Sequence, residues 1–102
     1  MASAAQARLD LFLSVNPDIA LCTWVAPNGH AVIDLLRIPE HQQGLGIGRR
    51  VYELWEDTLT EDTVVELFAV DADATAFWRA MGFDGPFNGV MSKRITRLAM
   101  AA

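Results

Sequence analysis

Between an apolar stretch and an amphipathic one, the chain reads Gln42-Gln43-Gly44-Leu45-Gly46-Ile47-Gly48-Arg49. Glycines at alternate positions remove the Cβ atoms that restrict other residues, so successive N–H groups can turn inward together. A helix beginning at such a loop adds its own unpaired N–H groups and the positive end of its dipole. The combination is a cradle for an anion, suited to a pyrophosphate. Two well-known nucleotide loops are excluded. A P-loop closes on Gly-Lys-Ser/Thr, whereas Gly48 is followed by Arg49. A dinucleotide fingerprint needs G-x-G-x-x-G, and counting from Gly44 its third glycine falls on Arg49. By spacing alone, the other reading is a helix entrance that binds nothing.

The flanking segments supply the frame. Ala5, Leu9, Phe12 and Leu13 recur at helical spacing within Ser3–Val15, with Ser3 as cap and Asn16-Pro17 as stop. Ile19–Ala26 and His30–Ile38 read as strands joined by a Pro27-Asn28-Gly29 turn, hence an antiparallel hairpin. After the loop Glu40–Gly48, the residues Val51, Trp55 and Leu59, with Tyr52 and Leu54 beside them, predict a helix from about Gly48 to Leu59. Glu53, Glu56 and Asp57 fall on its water-facing side. Val64–Val70 reads as a strand buried on both faces. Asp71 or Asp73 can cap a further helix carrying Ala74, Phe77, Trp78 and Met81, which Gly82 ends. A turn at Gly85-Pro86, a last strand near Val90–Ile95 and a frayed tail over Thr96–Ala102 complete the chain. The fold class is therefore α/β, an α+β mixed sheet in which an antiparallel hairpin leads into a β-α-β-α-β C-terminal half.

Composition narrows the partners. A length of 102 residues predicts a single domain over 1–102, and 52% hydrophobic residues suffice for one modest core. The formal charge of −5 makes nucleic acid a poor partner and a cation, such as an amine or a basic peptide, a good one. One cysteine, Cys22, excludes an intramolecular disulfide and a thiolate zinc cluster, so no metal is expected. No membrane-length apolar run or N-terminal signal core occurs, and the expected location is cytoplasmic.

Gln43-Gly44-Leu45-Gly46-Ile47-Gly48 resembles Q/R-x-x-G-x-G/A, the pyrophosphate loop of the GNAT superfamily of N-acetyltransferases. The segment Ile33–Glu40 is similar to the strand that precedes that loop in the family. The stretch from Val70 to Phe83 resembles the second signature, a strand and a short helix closed by Gly82-Phe83. Met91-Ser92-Lys93 is similar to the usual final strand. The resemblance spans about Ile19 to Ile95, and its strength lies in the order of the parts. It implies a GNAT-like acyl-CoA N-acyltransferase fold that binds acetyl-CoA and passes the acetyl group to a primary amine. It further implies that the pantetheine arm pairs with strand backbone near Leu36, Arg37 and Ile38. The pyrophosphate would then meet Gln43, Gly44, Leu45, Gly46, Ile47, Gly48 and Arg49.

Acetyl transfer requires a neutral amine, a donor for the developing oxyanion, and a way to release the thiolate. The family often places a tyrosine four residues before the closing Gly-Phe to protonate that thiolate; here the position is Trp78, whose indole is no practical acid. Tyr52, the single tyrosine, reads as a helix residue packing on the sheet. A thiol with a pKa of about 8.5 leaves without obligatory help. Where the family often has an asparagine after its fifth strand, this chain has Asp71, expected to touch the cofactor, as is Trp78. Candidate bases are Asp34, Glu66, Asp71 and His30. Asp34 leads, because a carboxylate buried within Ile33–Ile38 would have a raised pKa; its other reading is the solvated face of an amphipathic strand, or a partner for Arg37. His30 reads as a turn residue in water, and Cys22 as a small core residue. Family domains commonly carry more helix ahead of the first strand. The acceptor side here is therefore expected to be open, suiting a protein lysine or N-terminus, or to be completed by a second copy in a homodimer. The alternative reading is a catalytically inactive GNAT-like module that binds CoA or a partner protein.

Overall fold

The computed structural model describes residues 3–69 and 71–97. Helix α1 is Ala4–Ser14, strand β1 Ala20–Ala26 and strand β2 His30–Arg37. A single 3-10 turn, Glu40–Gln42, leads to helix α2, Ile47–Glu56. Strand β3 is Val64–Phe68, helix α3 Ala72–Ala80, strand β4 Asp84–Phe87 and strand β5 Val90–Arg94. Hydrogen bonding orders the strands β1-β2-β3-β5-β4. The pair β2 and β3 is parallel: Val64 N, at the start of β3, donates to Gly29 O, just before β2, at 2.8 Å. The helix α2 between them is the crossover that a parallel pair needs. Among the described residues, no helix is long and apolar enough to cross a membrane.

The chain forms two compact units. One comprises residues up to Trp24 together with Ile33–Leu59. In it Val51, Tyr52, Leu54 and Trp55 are buried along α2, as their spacing predicts, and Leu9 is the buried residue of α1. Ser3 caps α1 by accepting from Gln6 N at 3.0 Å. Glu56 departs from expectation: it is half-buried rather than water-facing, and its charge acts on Tyr52 one turn earlier.

The other unit comprises Val25–Val32 and the residues from Thr60 onward. Val65, Leu67, Met91, Ile95, Trp78, Met81 and Phe83 are buried in it. Asp71 caps α3 by accepting from Ala74 N at 2.7 Å. The helix ends as its glycine predicts. Gly82 takes φ +98°. Gly82 N donates to Arg79 O and Phe83 N to Trp78 O, both at 3.0 Å. Lys93 also donates to a carbonyl at this helix end, Met81 O, at 2.8 Å.

Three expectations fail in this unit. The turn lies at Asn88-Gly89, both at positive φ, and not at Gly85-Pro86. Gly85-Pro86 instead lies inside β4, so the C-terminal half reads β-α-β-α-β-β, with an extra strand. β4 is an edge strand, where a proline costs no ladder hydrogen bond. Finally, β3 is buried on one face only. Val65 and Leu67 are covered, whereas Glu66 is half-exposed and Phe68 exposed. The expected end of that strand at Val70, and the tail from Leu98 to Ala102, lie outside the described residues.

Candidate functional site

The glycine loop lies wholly within the first unit and is built from the end of β2. Backbone bonds Gln42 N to Pro39 O at 2.9 Å and Gln43 N to Glu40 O at 3.1 Å close the 3-10 turn. The Gln43 side chain then donates from Nε2 to Ile38 O at 2.9 Å, tying the loop back to the chain just past the strand. Gly44 and Gly46 sit at φ +79° and +77°, with nothing within 4 Å of where a Cβ would be. Glycine is needed there for conformation rather than for lack of room. Gly48 lies in the first turn of α2. Two left-handed glycines therefore shape the loop, and the helix begins one residue earlier than the sequence predicts.

The start of α2 differs from that of the other two helices. Arg50 N donates to Gly46 O at 3.1 Å, so the N–H groups of Ile47, Gly48 and Arg49 have no acceptor inside the helix. Gly46 brings no capping side chain, and the first turn holds no acid. By contrast, Ser3 and Asp71 supply oxygens to α1 and α3. Arg49 and Arg50 follow, both exposed. Unpaired N–H groups and a positive dipole end are features that can receive an anion. Among the residues expected to meet the pantetheine arm, Leu36 and Ile38 are half-buried and Arg37 is exposed.

The other candidates are used differently from expectation. Asp34 is exposed on β2, so the burial that would make it a base is missing. Cys22 is exposed, not a core residue. His30 is no isolated turn residue: its Nε2 is bonded to the Glu66 carboxylate, and both side chains are partly covered. Asp71 is committed to capping α3, its carbonyl also accepting from Thr75 Oγ1 at 2.9 Å. Trp78 is 8% exposed. Its ring meets Phe77 and Phe83 edge-on, with centroids 4.9 and 5.3 Å away, so the indole belongs to the core.

Tyr52 is buried in α2, its ring 6.0 Å from that of Trp55. Burial first, then the neighbouring Glu56 carboxylate and its negative charge, push the phenol far above its usual range. Such a group stays protonated and cannot serve as an acid near neutrality. Because its folded pKa is raised, its contribution to stability is complete below the unfolded value of about 10 and falls away as pH rises beyond it. Thermal stability is thus expected to decline above about pH 10, with phenolate absorbance appearing only as the chain unfolds. Tyr52→Phe should flatten that decline. A phenolate that titrates reversibly in the folded chain at an ordinary pH would contradict the burial.

No protein-family model matches the chain, and no curated protein matches its sequence. Its fold is similar to a crystal structure of an Agrobacterium tumefaciens protein provisionally named an acetyltransferase. The TM-score is 0.50 at 18% identity, covering 93% of this chain and 95% of that one. At that identity the likeness is one of fold.

Proposed function

We propose that this chain is an acetyl-CoA-dependent N-acetyltransferase whose acceptor is a primary amine, a lysine or N-terminus on a basic protein or peptide. The observation that carries the reading is the start of α2. An uncapped helix end without acids follows two left-handed glycines at a strand end, and it suits a doubly charged pyrophosphate. The fold likeness supports the same class. When bound, acetyl-CoA supplies the activated acyl group. The chain's own part begins with Gln43, which holds the loop in shape through Ile38 O. The N–H groups of Ile47, Gly48 and Arg49 then hold the anionic end of the cofactor. Transfer would occur in a ternary complex by direct attack of the neutral amine on the thioester carbonyl: the N–C bond forms, the C–S bond breaks, CoA leaves as the thiolate and the amine's proton passes to water, with positioning supplying much of the rate.

One observation favours a second reading. Trp78 is committed to the core, and Tyr52 is buried beside Glu56, so neither protonates a leaving thiolate. A module that binds CoA or a partner protein without turnover fits that fact. Calorimetric titration with acetyl-CoA and with CoA is the first test, and saturable binding of both is expected. Turnover on a panel of amine-bearing peptides then supports the enzyme, and binding without turnover supports the second reading. A folded chain that binds neither compound would overturn both cofactor-based readings.

A further inference from the structure

The second unit exposes a sheet face whose chemistry is laid out in rows. Residues directly opposite one another on antiparallel strands share a face. Glu66 on β3 is opposite Ser92 on β5, and Ser92 is opposite Asp84 on β4. His30 joins that row through its bond to Glu66. The next row is Phe68 on β3, Val90 on β5 and Phe87 on β4. The register shift between Asp84 and Phe87 makes this possible. Three residues apart, the two would face opposite ways on a regular strand; the extra residue returns Phe87 to the face of Asp84. Phe68 and Phe87 are 72% and 71% exposed, among the most exposed large apolar residues described. The reverse face, with Val65, Leu67 and Met91, is buried. Beyond the polar row lies the pair Val64 and Arg94, and Arg94 Nη1 is 3.9 Å from Asp62 Oδ1.

We infer that this face docks a basic segment of a partner polypeptide, with an apolar side chain on the Phe68–Val90–Phe87 row and a lysine or arginine over Glu66 and Asp84. The inference rests on the acetyl-transfer reading for the partner's role as acceptor. Rows two residues apart along a strand are about 7 Å apart, within reach of one long basic side chain whose stem lies on the aromatic row. Charge selects the occupant. Asp84 is exposed and the half-exposed Glu66 carboxylate, beside His30, carries a second negative charge on an acidic chain, a pairing that favours a cation over phosphate; Arg94, one row away on the same face, is 3.9 Å from Asp62. Shape selects its size. Three strands at about 4.8 Å spacing make an open shelf, which encloses no small amine but supports a length of chain. A second copy laid face to face would bring the same carboxylates together.

The test uses the full chain and a fluorescein-labelled decapeptide in which one lysine is flanked by leucines, read by fluorescence anisotropy. Saturable binding is expected, weakened at least tenfold when the peptide's lysine becomes glutamate. Phe68→Ser combined with Phe87→Ser is expected to weaken binding at least tenfold. Glu66→Gln combined with Asp84→Asn should weaken it about fivefold, with acetyl-CoA titration unchanged in both double variants. Amide shifts in the unsubstituted chain should move at Phe68, Val90 and Ser92 when the peptide is added. No saturable binding, or shifts confined to other residues, would overturn the inference. So would a dimer of the free chain that the phenylalanine substitutions dissolve, which would assign the face to a second copy. A chain that binds acetyl-CoA but not the peptide fails here alone; one that binds the peptide but not acetyl-CoA fails only in the transfer reading.

Discussion

Gly46→Glu should weaken acetyl-CoA binding roughly 100-fold while leaving the chain folded. At φ +77° a side chain is strained by about 1–2 kcal/mol. A carboxylate at the start of α2 would offset part of that by accepting the free N–H groups, as Asp71 does for α3. Thermal stability is therefore expected to change little. Binding changes greatly, because the carboxylate occupies the anion site and repels a diphosphate. Like charges at about 4 Å cost about 4 kcal/mol at a surface-like dielectric, and even after screening about 3 kcal/mol remains, roughly a 100-fold loss. Gly46→Ala introduces the strain without the charge and should weaken binding only several-fold. Calorimetry on both variants beside the unsubstituted chain decides the matter. If Gly46→Glu binds acetyl-CoA normally, the loop is a helix entrance and nothing more.

Trp78→Ala is expected to cost the most stability of any single change considered. Deleting a buried tryptophan side chain costs about 3–5 kcal/mol, out of a total of about 5–15 kcal/mol for a domain of this size. On a chain of 102 residues the midpoint of thermal unfolding should fall by roughly 15–30 °C. Trp78→Phe keeps an aromatic ring between Phe77 and Phe83 and should fold, with acetyl-CoA affinity unchanged. Calorimetry of the folded phenylalanine variant is the sharper measurement. A tenfold loss of affinity there would restore Trp78 to the cofactor contact that the sequence suggests.

Much of the fold was legible because its signals are local. Ser3 and Asp71 cap their helices by reaching three residues along the same chain. Gly82 ends α3 because the left-handed position after a helix suits glycine. The spacing of Val51, Leu54 and Trp55 places one face of α2 inside. The Asn88-Gly89 turn was also written in the sequence, as the strongest short hairpin signal there is, but the proline at Pro86 drew the turn to the wrong place.

The candidate site divides along the same line. The sequence by itself determined the glycine loop and its place between strand and helix. Each depends on residues within a few positions of one another. Only the tertiary structure decided that Asp34 is exposed, that Trp78 is core, and that Tyr52 is locked by burial with Glu56 beside it. It alone aligned Glu66 with Ser92 and Asp84, and Phe68 with Val90 and Phe87. The physical reason is that a strand residue's surroundings come from other strands. Cross-strand register, and the one-residue shift in β4 that turns Phe87 to the face of Asp84, depend on pairings between segments far apart in the chain, which no periodicity within a single segment encodes.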